Sequence, residues 1–269
     1  MRWLLAKLLL GLRLLVALGM VSCATVATRS GCGGNRAVVP LPQARAIWIT
    51  RHENKLAEVK QRASQVQLLF VGDSITQNYE QTDTDPSLNI HPVWEELFAP
   101  HAAMNLGFSA DKTYNVLWRL QHGEADGLAP KDIVLLIGTN NFFPSTMEPH
   151  GETAEQASAG ILAVVDELHT RMPAARVLVL SMLPAGFGPE HSAKIDAANA
   201  QVQAAVARLT YAKYLDVTGL FLEETPNGKR VRNELYFDPR LQPPSPALHP
   251  SAEGQRRMAE AVVKALYAQ

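Results

Sequence analysis

Ser74 stands at the end of an apolar run, in LLFVGDSITQ (68–77), directly after Gly72-Asp73. A serine hydroxyl is almost wholly neutral near pH 7, so it attacks a carbonyl only with a base beside it. His249, in SPALHP (245–250), is of the right type for that base. A carbonyl under attack also needs hydrogen-bond donors for the oxygen that turns negative. Gly107, in NLGFSAD (105–111), lacks a Cβ, so its N–H can approach a substrate oxygen closely. Asn140, in GTNN (138–141), offers a side-chain NH₂. Each residue also has a plainer role when taken alone. Ser74 would cap the following helix. Gly107 would turn a strand end, Asn140 would form an Asx turn, and His249 would be a loop histidine. Asp73 reads as a loop residue bonding backbone amides rather than a reactive group.

The elements that must position these residues can be read from the apolar pattern. Short apolar runs closed by Gly or Pro predict strands at 66–72, 102–108, 132–138, 175–183 and 213–219. Helical spacing predicts helices over 43–64, 113–123, 154–172, 193–209 and 251–268, with Gly123 as a C-cap. Strand and helix alternate at intervals that suit parallel crossovers. The expected class is α/β, a three-layer α/β/α sandwich with a five-stranded, mostly parallel sheet. Ligands bind beyond the carboxyl ends of such strands. Ser74, Gly107 and Asn140 all fall at those ends. Trp94 and Trp118 occupy helical positions and are expected in the core, Trp94 with an alternative place at the cleft entrance.

The chain has 269 residues, 47% hydrophobic and 19% charged, which is enough for one large domain. Its net charge of −1 argues against nucleic acid as a partner. The first 23 residues differ from the rest. Arg2, Lys7 and Arg13 precede the apolar run LLVALGMVS and Cys23, with no acid among them. This is the pattern of an export signal. MVSC fits lipidation at Cys23, and ordinary cleavage after Ala24 is the alternative. Residues 24–42, rich in Gly and Ser around Cys32, are expected to form a flexible tether. The globular domain is expected over 43–269. The expected location is the periplasm or cell envelope, with the membrane touched only through the N-terminal anchor.

The four blocks GDSI, NLGFSAD, GTNN and LHP follow one another in the order seen in the SGNH (GDSL-type) hydrolases, which this chain resembles. Within that family it is most similar to the catalytic α-subunits of platelet-activating-factor acetylhydrolase, from about residue 66 onward and more weakly over 219–246. The resemblance implies the flavodoxin-like fold of that family. It also implies Ser74 as nucleophile, His249 as general base, and the Ser74 N–H, Gly107 N–H and Asn140 amide as an oxyanion hole. The reaction implied is hydrolysis of a short acyl ester, acetyl above all, of a carbohydrate or lipid alcohol. No cofactor and no metal are implied. His91, His101, His122, His150, His169 and His191 are scattered without metal-ligand spacing. The subunits it resembles dimerise, which leaves a homodimer open.

One position departs from the family pattern. An aspartate is usual three residues before the histidine, and this chain has Pro246 there. Three outcomes are compatible with that. Asp238, in YFDPRLQ, supplies the acid; or a backbone carbonyl holds His249 in a Ser–His dyad; or activity is weak or lost. The last would make the chain a binder of O-acylated glycan or lipid on an esterase fold. The Pro-rich LQPPSPALHP reads as a rigid loop presenting His249, with partner docking as the alternative.

Overall fold

The computed structural model describes residues 34–268 except 147 and 227. The expected export signal, Cys23 and the first part of the tether lie outside the described residues. In chain order the principal elements are α1 (Ala46–Arg62), β1 (Leu68–Gly72), α2 (Ser74–Gln77), α3 (His91–Leu97), β2 (Ala103–Gly107), α4 (Thr113–Arg119), β3 (Asp132–Leu136) and α5 (Ala154–Arg171). They continue with β4 (Arg176–Leu180), α6 (Pro189–Val206), β5 (Ala212–Leu215), α7 (Thr218–Phe221), β6 (Leu222–Thr225), β7 (Gly228–Val231) and α8 (Ala252–Tyr267).

Strands β1 to β5 form one sheet in the order β2-β1-β3-β4-β5, and every pairing is parallel. Side chains alternate across a strand, so a strand covered on both faces must be apolar throughout. β1 shows this directly. Leu69 and Val71 enter the core shared with α1, α4, α5 and α6, through Val59, Val116, Ile161 and Val202. Leu68 and Phe70 enter the opposite core, with Trp94 of α3, Phe221 of α7 and Met258 of α8. The result is the three-layer α/β/α sandwich, with all five strands where the apolar runs predicted them. The strand order reverses direction between β1 and β3, which opens a crevice at their carboxyl ends. Ser74 follows β1, and Asn140 follows β3.

The structure differs from the sequence reading in three places. Residues 35–42 are not a free tether. The Asn35 side chain donates to Gln156 O at 3.1 Å, Thr113 Oγ1 donates to Ala37 O at 2.8 Å, and Leu41 N donates to Tyr114 O at 3.1 Å. Ala37 is wholly buried. These hydrogen bonds dock a stretch whose composition alone reads as linker. The second difference is an antiparallel hairpin, β6–β7, in a stretch to which the sequence pattern assigns no element. Third, Trp94 is in the core, packed on Phe70 and Phe98, but Trp118 is only half-buried and stacks on His122 at 3.9 Å. α4 is capped at Leu120, and Gly123, at φ 102°, breaks the helical path inside the wide turn Leu120–Glu124 that follows.

Candidate active site

α2 begins at Ser74, directly after β1. Its N-cap is Asp73, whose Oδ1 accepts from Ile75 N at 2.9 Å. Gly72 is required by space, because a Cβ there would lie 2.2 Å from Thr76 Oγ1 and 2.4 Å from Leu136 O. Capping therefore falls to Asp73, and the Ser74 hydroxyl is left for His249, whose Nε2 lies 3.0 Å from Ser74 Oγ. The Ser74 N–H is the first of α2, where no helix carbonyl can reach it.

His249 sits two residues before the Ser251 N-cap of α8. Gln255 of α8 donates Nε2 to Ile75 O at 2.7 Å, so the helix behind the histidine grips the helix of the serine. The partner of His249 Nδ1 is Asp238, with Oδ1 at 2.7 Å. The other oxygen of Asp238 accepts from His249 N at 2.5 Å and Leu248 N at 3.0 Å. An antiparallel bridge between Tyr236 and Pro250 explains this contact. Continuing its register puts 238 opposite 248, beside the histidine. The Phe237 ring stacks on His249 at 5.4 Å and 8°, which fixes the imidazole plane. Pro246 is exposed at the tip of the intervening loop. Burial pushes the Asp238 carboxyl up, but the bonds from the His249 ring and from the His249 and Leu248 amides outweigh it. The carboxyl is held below the ordinary aspartate value.

Asn140 lies in a 3-10 turn that follows Gly138, whose φ of 124° admits no ordinary side chain. Its Nδ2 donates to Asp111 O at 3.0 Å, leaving its second hydrogen for another acceptor. Asn141 is fully buried and bonds Thr113 and Glu152, so of the two asparagines only Asn140 is partly exposed.

Gly107 is not where an oxyanion donor belongs. Its N–H donates to the Asn105 side chain at 2.8 Å and is already satisfied. Its lack of a side chain serves packing, since a Cβ would sit 2.3 Å from Gln77 N and 2.8 Å from Thr76 Cβ. The free amide of this loop belongs to Ala110. The Phe108–Asp111 turn closes through Asp111 N to Phe108 O at 3.1 Å and holds Ala110 at a left-handed φ of 63°. Among the described residues the Ala110 N–H has no partner. Nothing in the residue type marked it; the sequence signal was the position, one residue before Asp111 in NLGFSAD.

The sequence reading also passed over His52. It is buried, with Nδ1 2.7 Å from Glu124 Oε1, beside a fully buried Arg119–Asp111 pair. Among the described residues no group of His, Cys, Asp and Glu is arranged to hold a metal. No described helix is long and apolar enough to cross a membrane.

A strand-end serine bonded to a histidine that is bonded to a buried aspartate can perform acyl transfer. The comparisons agree with that chemistry. The model of the GDSL-like lipase/acylhydrolase family matches residues 70–257. The chain is 37% identical over 190 residues to human platelet-activating factor acetylhydrolase IB subunit alpha1, covering 70% of this chain and 73% of that protein. It is 35% identical over 179 residues to the mouse alpha2 subunit, covering 65% and 69%. A GDSL-like lipase from Bacteroides thetaiotaomicron superposes with a TM-score of 0.59 at 18% identity, covering 80% of this chain and 95% of that one. An acetyl xylan esterase superposes with a TM-score of 0.56 at 20% identity, covering 75% and 100%. The chain belongs to the GDSL-like lipase/acylhydrolase family. It is an esterase of that family.

Proposed function

We propose that the protein is an exported serine esterase that removes short acyl groups, acetyl above all, from carbohydrate or lipid alcohols. The observation that carries this reading is the continuous chain Ser74 Oγ, His249 Nε2, His249 Nδ1 and Asp238 Oδ1, with links of 3.0 and 2.7 Å. Ser74 Oγ attacks the ester carbonyl while His249 Nε2 takes its proton. Asp238 holds the Nδ1–H and balances the imidazolium. The carbonyl oxygen, now negative, accepts from the Ser74 N–H, the Ala110 N–H and the Asn140 amide. As the tetrahedral intermediate collapses, His249 gives its proton to the leaving alcohol oxygen. A water then delivers its proton to His249 and attacks the acyl-Ser74 carbonyl. As the second intermediate collapses, His249 returns its proton to Ser74 Oγ, the carboxylic acid leaves and the serine is restored.

The acetyl preference is supported by the names of the relatives and by the acetyl xylan esterase neighbour. Export is supported by the basic and apolar first 23 residues. The reading as a binder without turnover rested on Pro246 in place of the acid. The contact of Asp238 Oδ1 with His249 Nδ1 at 2.7 Å supports the esterase reading over that one.

Hydrolysis of p-nitrophenyl acetate tests the assignment. Wild type should turn over, and Ser74→Ala should lose about 10⁴-fold or more in kcat. Equal rates from both proteins would sink it. Mass spectrometry of the mature N-terminus tests export, with lipidated Cys23 or cleavage after Ala24 expected and an intact Met1 against it.

A further inference from the structure

Arg119 is wholly buried in α4, and its three guanidinium nitrogens reach three separate segments. Nε donates to Asp111 Oδ2 at 2.8 Å, at the end of the turn that holds Ala110. Nη2 donates to Gly72 O at 3.1 Å, two residues before Ser74. Nη1 donates to Glu124 Oε2 at 2.6 Å, and the other oxygen of Glu124 meets His52. The guanidinium also lies 4.3 Å over the ring of Phe108, the first residue of the same turn.

Asp111 is gripped from the outside as well. Its Oδ1 accepts from Trp48 Nε1 at 2.6 Å and from Gln43 Nε2 at 2.8 Å. Its backbone oxygen accepts from Asn140 Nδ2 at 3.0 Å. One fully buried ion pair therefore touches the carboxyl end of β1, the turn after β2 and the amide of Asn140. Those are the three places from which the oxyanion donors come.

A buried ionic cluster is a weak device for stability, because apolar residues of similar volume usually do as well or better. A planar, fork-shaped cation with fixed donor directions is suited to holding three acceptors at fixed angles. We propose that the buried Arg119–Asp111 pair positions the oxyanion hole, locking the Ala110 turn and the Asn140 amide against the Ser74 end of β1. Neither residue touches substrate. Both act through the donors they align, and their value lies in the small tolerance of a pre-organised site. The inference rests on the esterase reading above.

The test is steady-state kinetics on p-nitrophenyl acetate, with active serines counted by fluorophosphonate labelling. The proteins are wild type, Ser74→Ala, Arg119→Lys and Trp48→Phe. Arg119→Lys keeps the charge, but its three donors radiate from one nitrogen and cannot reproduce the planar fork that reaches the three segments. Per active serine its kcat should fall about 10- to 100-fold with KM within about twofold, short of the loss expected for deleting a donor. Trp48→Phe removes one donor to Asp111 and should lower kcat about threefold without unfolding the protein. A purely structural role predicts a lower melting temperature with kcat per labelled serine unchanged, and that result overturns the proposal. So does a rise in KM with kcat intact. If Arg119→Lys yields no labelled serine, Trp48→Phe decides alone, and wild-type kcat in it overturns the proposal. Absence of Ser74-dependent turnover in wild type would instead defeat the esterase reading itself.

Discussion

Two charged clusters flank Ser74, and they are built in opposite ways. On one side Asp238 and His249 meet at 2.7 Å with side chains 7% and 23% exposed. On the other, Arg119 is bound to Asp111 and Glu124 with all three side chains at 0%. In the proposed mechanism the first pair passes a proton to and from Ser74, substrate and water, and its partial exposure suits that task. The second must keep its charges and directions through every step, so it is closed to water, where each bond is electrostatically stronger. On the proposed reading the open cluster does chemistry and the closed one holds geometry. Substitutions in the open cluster should therefore cost rate, and those behind it should cost stability or alignment.

Asp238→Asn is the strongest way to break this contrast. Asparagine preserves size and one acceptor for the Leu248 and His249 amides, but it cannot balance an imidazolium. It also favours the wrong histidine tautomer. The kcat for p-nitrophenyl acetate should drop about 10³- to 10⁴-fold, while the folding free energy changes by no more than about 2 kcal/mol. Kinetics and urea unfolding on the same preparation check both halves. An unchanged kcat would remove Asp238 from the proposed triad and leave His249 in a dyad.

The same contrast explains what was legible in the sequence. The inner strands could be read because both faces are covered, so nearly every residue is apolar, as in DIVLL of β3; the edge strand β5, AKYL, is only partly buried and was marked by its place in the alternation. Ser74 and Asn140 could be read because each follows such a strand inside a family block, and His249 because its LHP block precedes the last helix. Asp238 was only one of three alternatives. Its contact depends on an antiparallel bridge between Tyr236 and Pro250, fourteen residues apart, inside a segment with no apolar pattern. Hairpin β6–β7 was missed for a related reason. Its residues, LEET and GKRV, are mostly polar and none is fully buried. The Arg119 cluster was invisible because its members come from α1, α4 and two turns, and nothing in charge spacing along the chain joins them.

Asp73 stands between the two clusters and sharpens the comparison through pH. Burial is the main cause that lifts its carboxyl to about 7, with the Asp111 charge adding to it. The Ile75 amide and His249 pull the other way. Its Oδ2 is buried without a partner among the described residues. An acid whose folded value is raised is protonated in the native state and ionised in the unfolded chain between about pH 4 and 7. It therefore costs nothing below pH 4, costs progressively more as pH rises through that window, and imposes its full penalty above pH 7. Asp73→Asn keeps the cap on Ile75 N and carries no charge. It should melt close to wild type near pH 4 and be more stable than wild type at pH 8, by up to roughly 4 kcal/mol. Melting curves across that range check it. Parallel curves at both ends would mean that Asp73 stays ionised in the native protein.

The smallest effect is expected at Gly107, where the sequence reading and the structure part most clearly. If its N–H served the oxyanion, the Cβ of Gly107→Ala would bar a substrate oxygen from that N–H, and the change would register mainly as lost kcat. In the structure the N–H is held by Asn105, and a new Cβ would press on Gln77 N and Thr76 Cβ, in the helix that carries Ser74. These contacts are too short to relax by rotating a side chain, because Gln77 N belongs to the backbone. The expected loss is about 1–3 kcal/mol of stability from overpacking. Any fall in kcat per labelled serine should stay below that of Arg119→Lys, because the Ala110 turn and its buried anchor are left intact. If stability instead stays near wild type while turnover per labelled serine collapses by about two orders of magnitude, the size expected for a lost donor, Gly107 returns to the oxyanion hole and Ala110 leaves it.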